Sequence, residues 1–232
     1  AAAPWRYGVI GGLFAAYFVL MFEALRRADA VPLAAVFTLT PAMGALCGWL
    51  LLAQRTSPRA ALAIALGAAG ALWVVFRGDW AAAAAFDVGA GEALYFVGCA
   101  LHALYAALVR RLNRGEPAVV FALGSFLGAM LVALAWGGGA LVATDWAALP
   151  PVAWIAIVYL GLGATAGSFL LMRYGAMRLP AGKVTAYGYA VPVFVILWEG
   201  LATGQWVALA VLPGVALIAA ALAVLVAEHD RA

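Results

Sequence analysis

ALRRADAVPLAAVFTLTPAMGALCGWLLLAQ, residues 24–54, is the stretch that decides the fold of this chain. It opens with a short basic segment, and from position 30 onward it carries no ionised side chain. A run of about 20 apolar residues is long enough to cross the hydrocarbon core of a bilayer as one helix. A similar stretch, AMRLPAGKVTAYGYAVPVFVILWEGLATGQ, returns at residues 176–205. The chain is therefore predicted to contain the same membrane element twice.

The composition of the whole chain is that of a membrane protein. Of its 232 residues, 68% are hydrophobic and 10% are charged, and the mean hydropathy is +1.07. Soluble domains are closer to half apolar and a quarter charged. This balance excludes a nucleic-acid-binding protein and a disordered acidic tail. The net charge of +3 is therefore interpreted as a topology signal, and no nucleic acid partner is expected.

Eight apolar spans are delimited by charges, prolines and glycine clusters. They lack the period-two alternation of a β-barrel, so they are predicted to be helices that satisfy their own backbone hydrogen bonds in lipid. The fold class is therefore an all-α, polytopic transmembrane helix bundle with eight helices. The predicted spans are 7–25, 32–53, 60–76, 92–111, 117–136, 152–172, 184–203 and 205–227.

Basic residues are distributed unevenly between the two sides of these spans. One side collects ten Lys and Arg residues and the other side has three, Arg26, Arg27 and Arg77. Cytoplasmic loops carry the excess of positive charge, so both ends of this chain are predicted to be cytoplasmic. The ten are Arg6, Arg55, Arg59, Arg110, Arg111, Arg114, Arg173, Arg178, Lys183 and Arg231.

The chain also repeats itself at an offset of 151 residues. Residues 12–75 align with 163–226 without a gap, with 17 identities in 64 positions. The informative pairs include Pro41 with Pro192 and Gln54 with Gln205. The orientation given by the Lys and Arg distribution makes the first helix of one copy cross the membrane in the direction opposite to the first helix of the other copy. The pattern therefore predicts an inverted repeat, the architecture of many secondary transporters.

The two quoted stretches resemble the signature region of EamA-type transporters of the drug/metabolite transporter superfamily. In that family a basic loop precedes a helix with a proline, and a Gly-Glu pair follows. Here the pair reads Ala53-Gln54 and Gly204-Gln205, which weakens a role for a carboxylate at these helix ends. The resemblance implies ten helices in two inverted five-helix repeats. Residues 1–80 would then be a partial first repeat of three helices that lacks the first two, and 81–232 a second repeat of five helices.

Three ionisable residues lie within the predicted spans and are candidates for a substrate or ion pathway, because such groups are costly in a bilayer. Glu23 has Arg26 and Arg27 three and four residues on, so a surface ion pair is the alternative. Glu199 follows Pro192 by two helical turns. His102 shares a helical stripe with Tyr95 and Tyr105 that could bind a small polar solute, the alternative being a satisfied core histidine. The candidates are Glu23, His102, Tyr105 and Glu199.

Prolines at matching positions of the two copies point to a binding site near the repeat interface. We expect Pro41 and Pro192 to interrupt the middle of a helix and to free carbonyls on the preceding turn. Hydroxyls before the prolines could bind solute or could bond back to their own helices. These hydroxyl candidates are Thr38, Thr40, Tyr187 and Tyr189. Tyr17, Thr165 and Ser168 are weaker candidates.

Enzyme and cofactor signatures are missing from the sequence. Gly182-Lys183 lacks the upstream glycine of a phosphate-binding loop, the serines lack a nucleophile frame, and no Cys/His cluster has metal-ligand spacing. We therefore expect no enzyme activity, no cofactor and no metal.

The predicted function is an integral membrane secondary transporter of the cell inner (plasma) membrane. The resemblance implies export of a small organic metabolite such as an amino acid. Alternating access would occur around a central cavity, with protons as the candidate coupling ion through Glu199, His102 and Glu23. Faces with small residues four apart would permit a homodimer. The alternative function is a non-transporting membrane subunit or scaffold, or a truncated and inactive transporter copy.

Overall fold

The computed structural model describes residues 3–85, 88–167, 171 and 187–229. Within these residues the chain is helical and contains no β-strand. Short 3₁₀ turns occur at Trp146–Ala148, Tyr187–Ala190 and Leu209–Val211. The α-helices are α1 (Trp5–Leu25), α2 (Ala30–Phe37), α3 (Thr40–Leu52), α4 (Pro58–Val75), α5 (Trp80–Ala85), α6 (Ala90–Leu112), α7 (Ala118–Ala143), α8 (Pro151–Val158), α9 (Val191–Thr203) and α10 (Leu212–His229).

Six helical segments are long and apolar enough to cross a membrane, which confirms the predicted transmembrane bundle. They are Trp5–Leu25, Ala30–Leu52, Pro58–Val75, Ala90–Leu112, Val119–Ala143 and Leu209–Ala227. Two shorter apolar segments, Pro151–Ala164 and Gly188–Thr203, lie at the sixth and seventh predicted spans. The structure adds the short α5, which was not predicted, and it continues α8 as a π-helix over Tyr159–Gly167.

Local sequence explains several helix ends. Ser57 caps α4 by accepting a hydrogen bond from the Ala60 amide at 3.1 Å, and Pro58 occupies the first turn, where a missing N–H costs nothing. In α6, Glu92 lies in the first turn, while Arg110 and Arg111 lie in the last. These charges are opposite in sign to the partial charge of the helix dipole at each end, which is the favourable arrangement. The capping residues thus agree with the boundaries that the hydropathy predicts.

The second predicted span is interrupted as expected, but neither Pro41 nor Pro192 lies in the interior of a helix. The chain turns at Thr38 and Leu39, and Pro41 lies in the first turn of a new helix, α3. Pro192 lies likewise in the first turn of α9, which follows a 3₁₀ turn. A proline is tolerated there because the first turn has no internal acceptor for its N–H. Each proline therefore lies at the start of a helix, α3 or α9, that directly follows a turn, and we call these two helices the half-helices.

These two half-helices match each other at the predicted offset. Both α3 and α9 have 13 residues, and both end at a residue in the left-handed conformation. That residue is Ala53 with φ 52° in one copy and Gly204 with φ 74° in the other. The two helices also run in opposite directions. The end of α3 lies beside Arg111, in the last turn of α6. The segment after α9 lies at the other end of the bundle, where it lines a cavity together with Asp29, the residue before α2.

Helices α4 and α10, which correspond in the two copies, pack closely against each other. The carbonyl oxygen of Gly214 lies 2.5 Å from where a Cβ of Gly70 would stand, so neither position has room for a side chain. Further along α4, the Trp73 indole donates to the Ala210 carbonyl at 2.7 Å. From Gly70 to Trp73 the contacts advance along the chain, whereas their partners go back from Gly214 to Ala210. The two helices are therefore antiparallel. This is the relation that an inverted repeat requires.

Glycines also bring α1 and α7 together. A Cβ on Gly124 would meet the Tyr7 ring at 2.8 Å, and one on Gly128 would meet the Tyr7 carbonyl oxygen at 2.5 Å. Gly11 is in equally close contact with the backbone of α7. In membranes such small residues let helix backbones approach. Helix α1 is thereby held between α6 and α7.

Candidate functional site

The centre of the bundle contains a cluster of aromatic rings, here called the central aromatic cluster: Tyr17 on α1, Phe37 on α2, and Tyr95, His102 and Tyr105 on α6. The Tyr17 and Tyr95 hydroxyl oxygens lie 3.2 Å apart. The His102 ring lies 4.7 Å from the Tyr17 ring and 5.9 Å from the Tyr105 ring, between centroids. His102 Nδ1 is buried and has no hydrogen-bond partner among the described residues. The predicted stripe on α6 thus meets a ring from α1.

Two cavities lie on opposite sides of this cluster. The Tyr95 cavity, of about 330 Å³, is lined by Tyr17, Phe37 and Tyr95 and reaches Leu25 and Ala30. The Asn113 cavity, of about 520 Å³, is lined by Tyr105 and reaches Asn113. Both volumes lie within the range of small-molecule sites. We call the two faces of the bundle the Asp29 end and the Arg6 end, after residues beside each.

The helix breaks lie next to the cluster. A Cβ on Gly188, in the second break, would lie 3.9 Å from the Phe37 ring at the end of α2. Val191, at the start of α9, lines the Tyr95 cavity. Phe37 also contacts His102, with ring centroids 6.2 Å apart. Both breaks are therefore adjacent to the predicted central site.

The hydroxyl candidates at these breaks divide into different environments. Thr38 Oγ1 donates to the Ala35 carbonyl at 2.7 Å, so it is bonded back to its own helix. Tyr189 is 1% exposed, and its ring packs directly against Gly67 on α4. The hydroxyls of Thr40 and Tyr189 are buried without a hydrogen-bond partner within the described part of the chain. The side chains of Tyr187 and Thr165, and all of Ser168, lie outside the described residues.

Glu199 lies away from the cluster, toward the Asp29 end. It lines a cavity of about 270 Å³, the Glu199 cavity, together with Asp29, Arg77 and Gln205. Its Oε2 atom is buried and has no partner in the described segments. Glu199 also lines a groove that shares Ala30, Val191 and Val195 with the Tyr95 cavity. The Glu199 carboxylate thus lies beside the Tyr95 cavity rather than within it.

Glu23 has the environment of a surface ion pair. Its carboxylate lies 3.3 Å from Arg26 and 3.4 Å from Arg27, one turn further along the chain. Both arginines are more than half exposed. Such pairs are screened by solvent and contribute little. The structure therefore places Glu23 apart from both the cluster and the Glu199 cavity.

An ion pair between Arg6 and Glu116 was not predicted from the sequence. The Arg6 side chain is 1% exposed; it donates to Glu116 Oε1 at 2.5 Å and to the Leu112 carbonyl at 2.5 Å. The Arg114 amide donates to the other carboxylate oxygen at 2.8 Å. Through these bonds, Arg6 above all lowers the pKa of the Glu116 carboxyl to about 2. The pair ties the start of α1 to the loop between α6 and α7.

Comparisons with known proteins agree with this architecture. The profile of a family described as the EamA-like transporter family matches residues 2–76 and 89–227. A protein of known crystal structure superposes with a TM-score of 0.63 and 25% sequence identity, covering 100% of this chain and 78% of that one. No curated protein sequence matches the chain significantly.

Proposed function

The chain belongs to the EamA-like transporter family of the drug/metabolite transporter superfamily, and on this premise we propose that it is a secondary transporter that exports a small organic metabolite such as an amino acid. It is a multi-pass membrane protein, and its family consists of transporters rather than enzymes. We place it in the cell inner membrane with both ends of this chain cytoplasmic, as the excess of Lys and Arg on that side indicates.

The observation that carries this proposal is the position of the central aromatic cluster between two cavities. The Tyr95 cavity reaches toward the Asp29 end, and the Asn113 cavity toward the Arg6 end. Tyr17 lines the first of these cavities and Tyr105 lines the second, and the His102 ring lies between these two rings. These rings offer stacking surfaces and hydrogen-bonding groups in a mainly apolar wall, as small-molecule sites do.

The paired half-helices support alternating access as the mechanism. Helices α3 and α9 start beside the cluster and run toward opposite ends of the bundle. A short turn, rather than a continuous helix, precedes each of them, so each can tilt about its own break. Rocking of one repeat against the other would then widen one cavity and narrow the other. Exposed apolar side chains on the outer faces would stay in lipid throughout.

The test is solute flux through the full chain in proteoliposomes, measured with a panel of radiolabelled amino acids and related metabolites. Val195→Trp, which fills the Tyr95 cavity, should abolish flux of the transported solute. The matched control is Val97→Trp, the same change at a side chain that is 50% exposed and outside that cavity. Flux that is equal in both variants, or no flux for any member of the panel, would contradict the proposal and favour a non-transporting membrane subunit.

A further inference from the structure

The Glu199 cavity contains an unusual concentration of charge for a chain this apolar. Asp29 precedes α2, Arg77 follows α4, and Glu199 and Gln205 lie in α9 and directly after it, so three separate segments supply polar groups to about 270 Å³. The formal charge of the wall, from two carboxylates and one guanidinium, is −1. A net negative wall favours a ligand that carries positive charge.

Within the segments that the structure describes, none of these charges is paired with another. Among the described residues, the ion pairs within 4.0 Å are those of Arg6 with Glu116 and of Glu23 with Arg26 and Arg27. Glu199 Oε2 is buried without a hydrogen-bond partner in the same part of the chain. A buried carboxylate oxygen without a partner is unfavourable. A ligand with N–H donors would remove this deficit.

The rest of the wall is apolar. It consists of side chains from α2, α4, α9 and the flanking turns, including Val74, Ile196, Trp206 and Val211. The Trp206 ring adds an aromatic face on which an apolar group can pack. The volume is below that of most small-molecule sites, so it suits a small ligand. The cavity therefore combines a cation-binding pole with a hydrophobic pocket.

We propose that the Glu199 cavity is a second solute site, separate from the central aromatic cluster, that binds a primary ammonium group carried on a small apolar body. The ammonium donates to Glu199 and to Asp29, and the apolar body packs on Trp206. A bare metal ion fits less well, because Arg77 is in the same wall and the apolar surface would stay unused. The source of the ammonium is either a free amine or an amino acid, whose carboxylate would pair with Arg77.

The site lies where an arriving or departing solute would pass. Glu199 belongs both to this cavity and to the groove that shares Ala30, Val191 and Val195 with the Tyr95 cavity. This part of the inference rests on the proposed transport function. Equilibrium binding, by contrast, can be measured without any flux, so failures of the two proposals can be told apart.

The test is equilibrium binding to the full chain in lipid nanodiscs, with isopentylamine, leucine and 4-methylpentanoate as probes. Glu199→Gln should weaken isopentylamine binding at least tenfold, and Asp29→Asn should weaken it to a smaller extent. Asp79→Asn removes the same charge from an exposed residue that caps α5 outside the cavity, so it should leave binding unchanged. Asp29→Asn also keeps the test open if Glu199→Gln fails to fold.

Leucine binding shows whether the ammonium group belongs to a free amine or to an amino acid, and 4-methylpentanoate is the probe without an ammonium group. If Arg77→Gln weakens leucine binding but not isopentylamine binding, the ammonium belongs to an amino acid; if leucine does not bind to the wild type, it belongs to a free amine. Either result supports the site. The proposal is overturned if isopentylamine does not bind to the wild type, or if Glu199→Gln and Asp29→Asn bind it as tightly as the wild type does. It is also overturned if these two variants lose as much affinity for 4-methylpentanoate, which has no ammonium group, as for isopentylamine. Binding without flux would contradict the transport function alone.

Discussion

The guanidinium of Arg6 and the carboxylate of Glu116 lie 2.5 Å apart, although 110 positions separate them in the chain. Arg6 is in the first turn of α1, and Glu116 is in the loop that joins α6 to α7. Their bond joins the start of α1 to this loop at the Arg6 end. Beside it, the Asn113 cavity reaches the same loop.

This ion pair predicts an acid-sensitive stability. The pKa of Glu116 is lowered from its ordinary value of 4.5 to about 2 in the folded chain. A carboxyl with a lowered folded pKa contributes stability above the unfolded pKa and loses it as the pH falls through the folded pKa. The wild type should therefore lose thermal stability between about pH 5 and pH 2. In Glu116→Gln the melting temperature should be lower at pH 7 and change less over this interval. Glu23→Gln, at an exposed pair, is the control and should follow the wild type.

The hydroxyl pair of Tyr17 and Tyr95 should be energetically coupled. Both rings are more than nine-tenths buried, with hydroxyl oxygens 3.2 Å apart. Either single change to Phe leaves one buried hydroxyl without its partner, which costs about 1–3 kcal/mol. The double change removes both groups and should recover part of that loss. Thermal unfolding of the four proteins in one detergent measures the coupling. Additive losses would show that the hydroxyls do not interact.

The contact between α4 and α10 should not tolerate a methyl group. A Cβ at Gly70 would stand 2.5 Å from the Gly214 carbonyl oxygen, on backbone that cannot move aside alone. Overpacking of this kind costs about 1–3 kcal/mol, so Gly70→Ala should lower the melting temperature. Gly44→Ala is the matched control, since nothing lies within 4 Å of that position. Equal melting temperatures for the two variants would contradict the close contact of these helices.

Exchanging alanine and glycine at the ends of the two half-helices should have opposite effects on the stability of the protein. Ala53 has φ 52° and Gly204 has φ 74°. A side chain in the left-handed region costs about 1–2 kcal/mol, which glycine avoids. Gly204→Ala should therefore destabilise the protein. Ala53→Gly should stabilise it slightly, because the relief of strain is partly offset by the greater freedom of glycine in the unfolded chain. Melting temperatures that move in the same direction would argue against a shared conformation.

Proton coupling can be tested at the three ionisable candidates. We expect Glu199→Gln or His102→Asn to reduce flux driven by a pH gradient, because each side chain has a buried atom without a partner in the described residues. Glu23→Gln should have a smaller effect, since Glu23 is paired with two arginines. The measurement is uptake into proteoliposomes with and without the gradient. Unchanged coupling in all three variants would remove protons as the coupling ion.

The local features of this chain follow from the sequence alone. Tracts such as 32–53 and 92–111 are helical because nothing but an internally bonded backbone is stable in lipid. The 151-residue offset predicts two equivalent elements, and α3 and α9 have corresponding bounds. Even Glu23 could be assigned to an ion pair, since positions three and four apart on a helix are neighbours.

Only the tertiary structure decided which helix faces meet. In a bilayer the lipid is as apolar as the protein interior, so hydropathy does not distinguish an inward face from an outward one. The sequence therefore predicted the His102 stripe but not its contact with Tyr17. It also treated Arg6 as a topology marker, although Arg6 is buried against Glu116. The Glu199 cavity depends likewise on segments that are distant in the chain, because a cavity is defined by packing between helices and not by the pattern within any one of them.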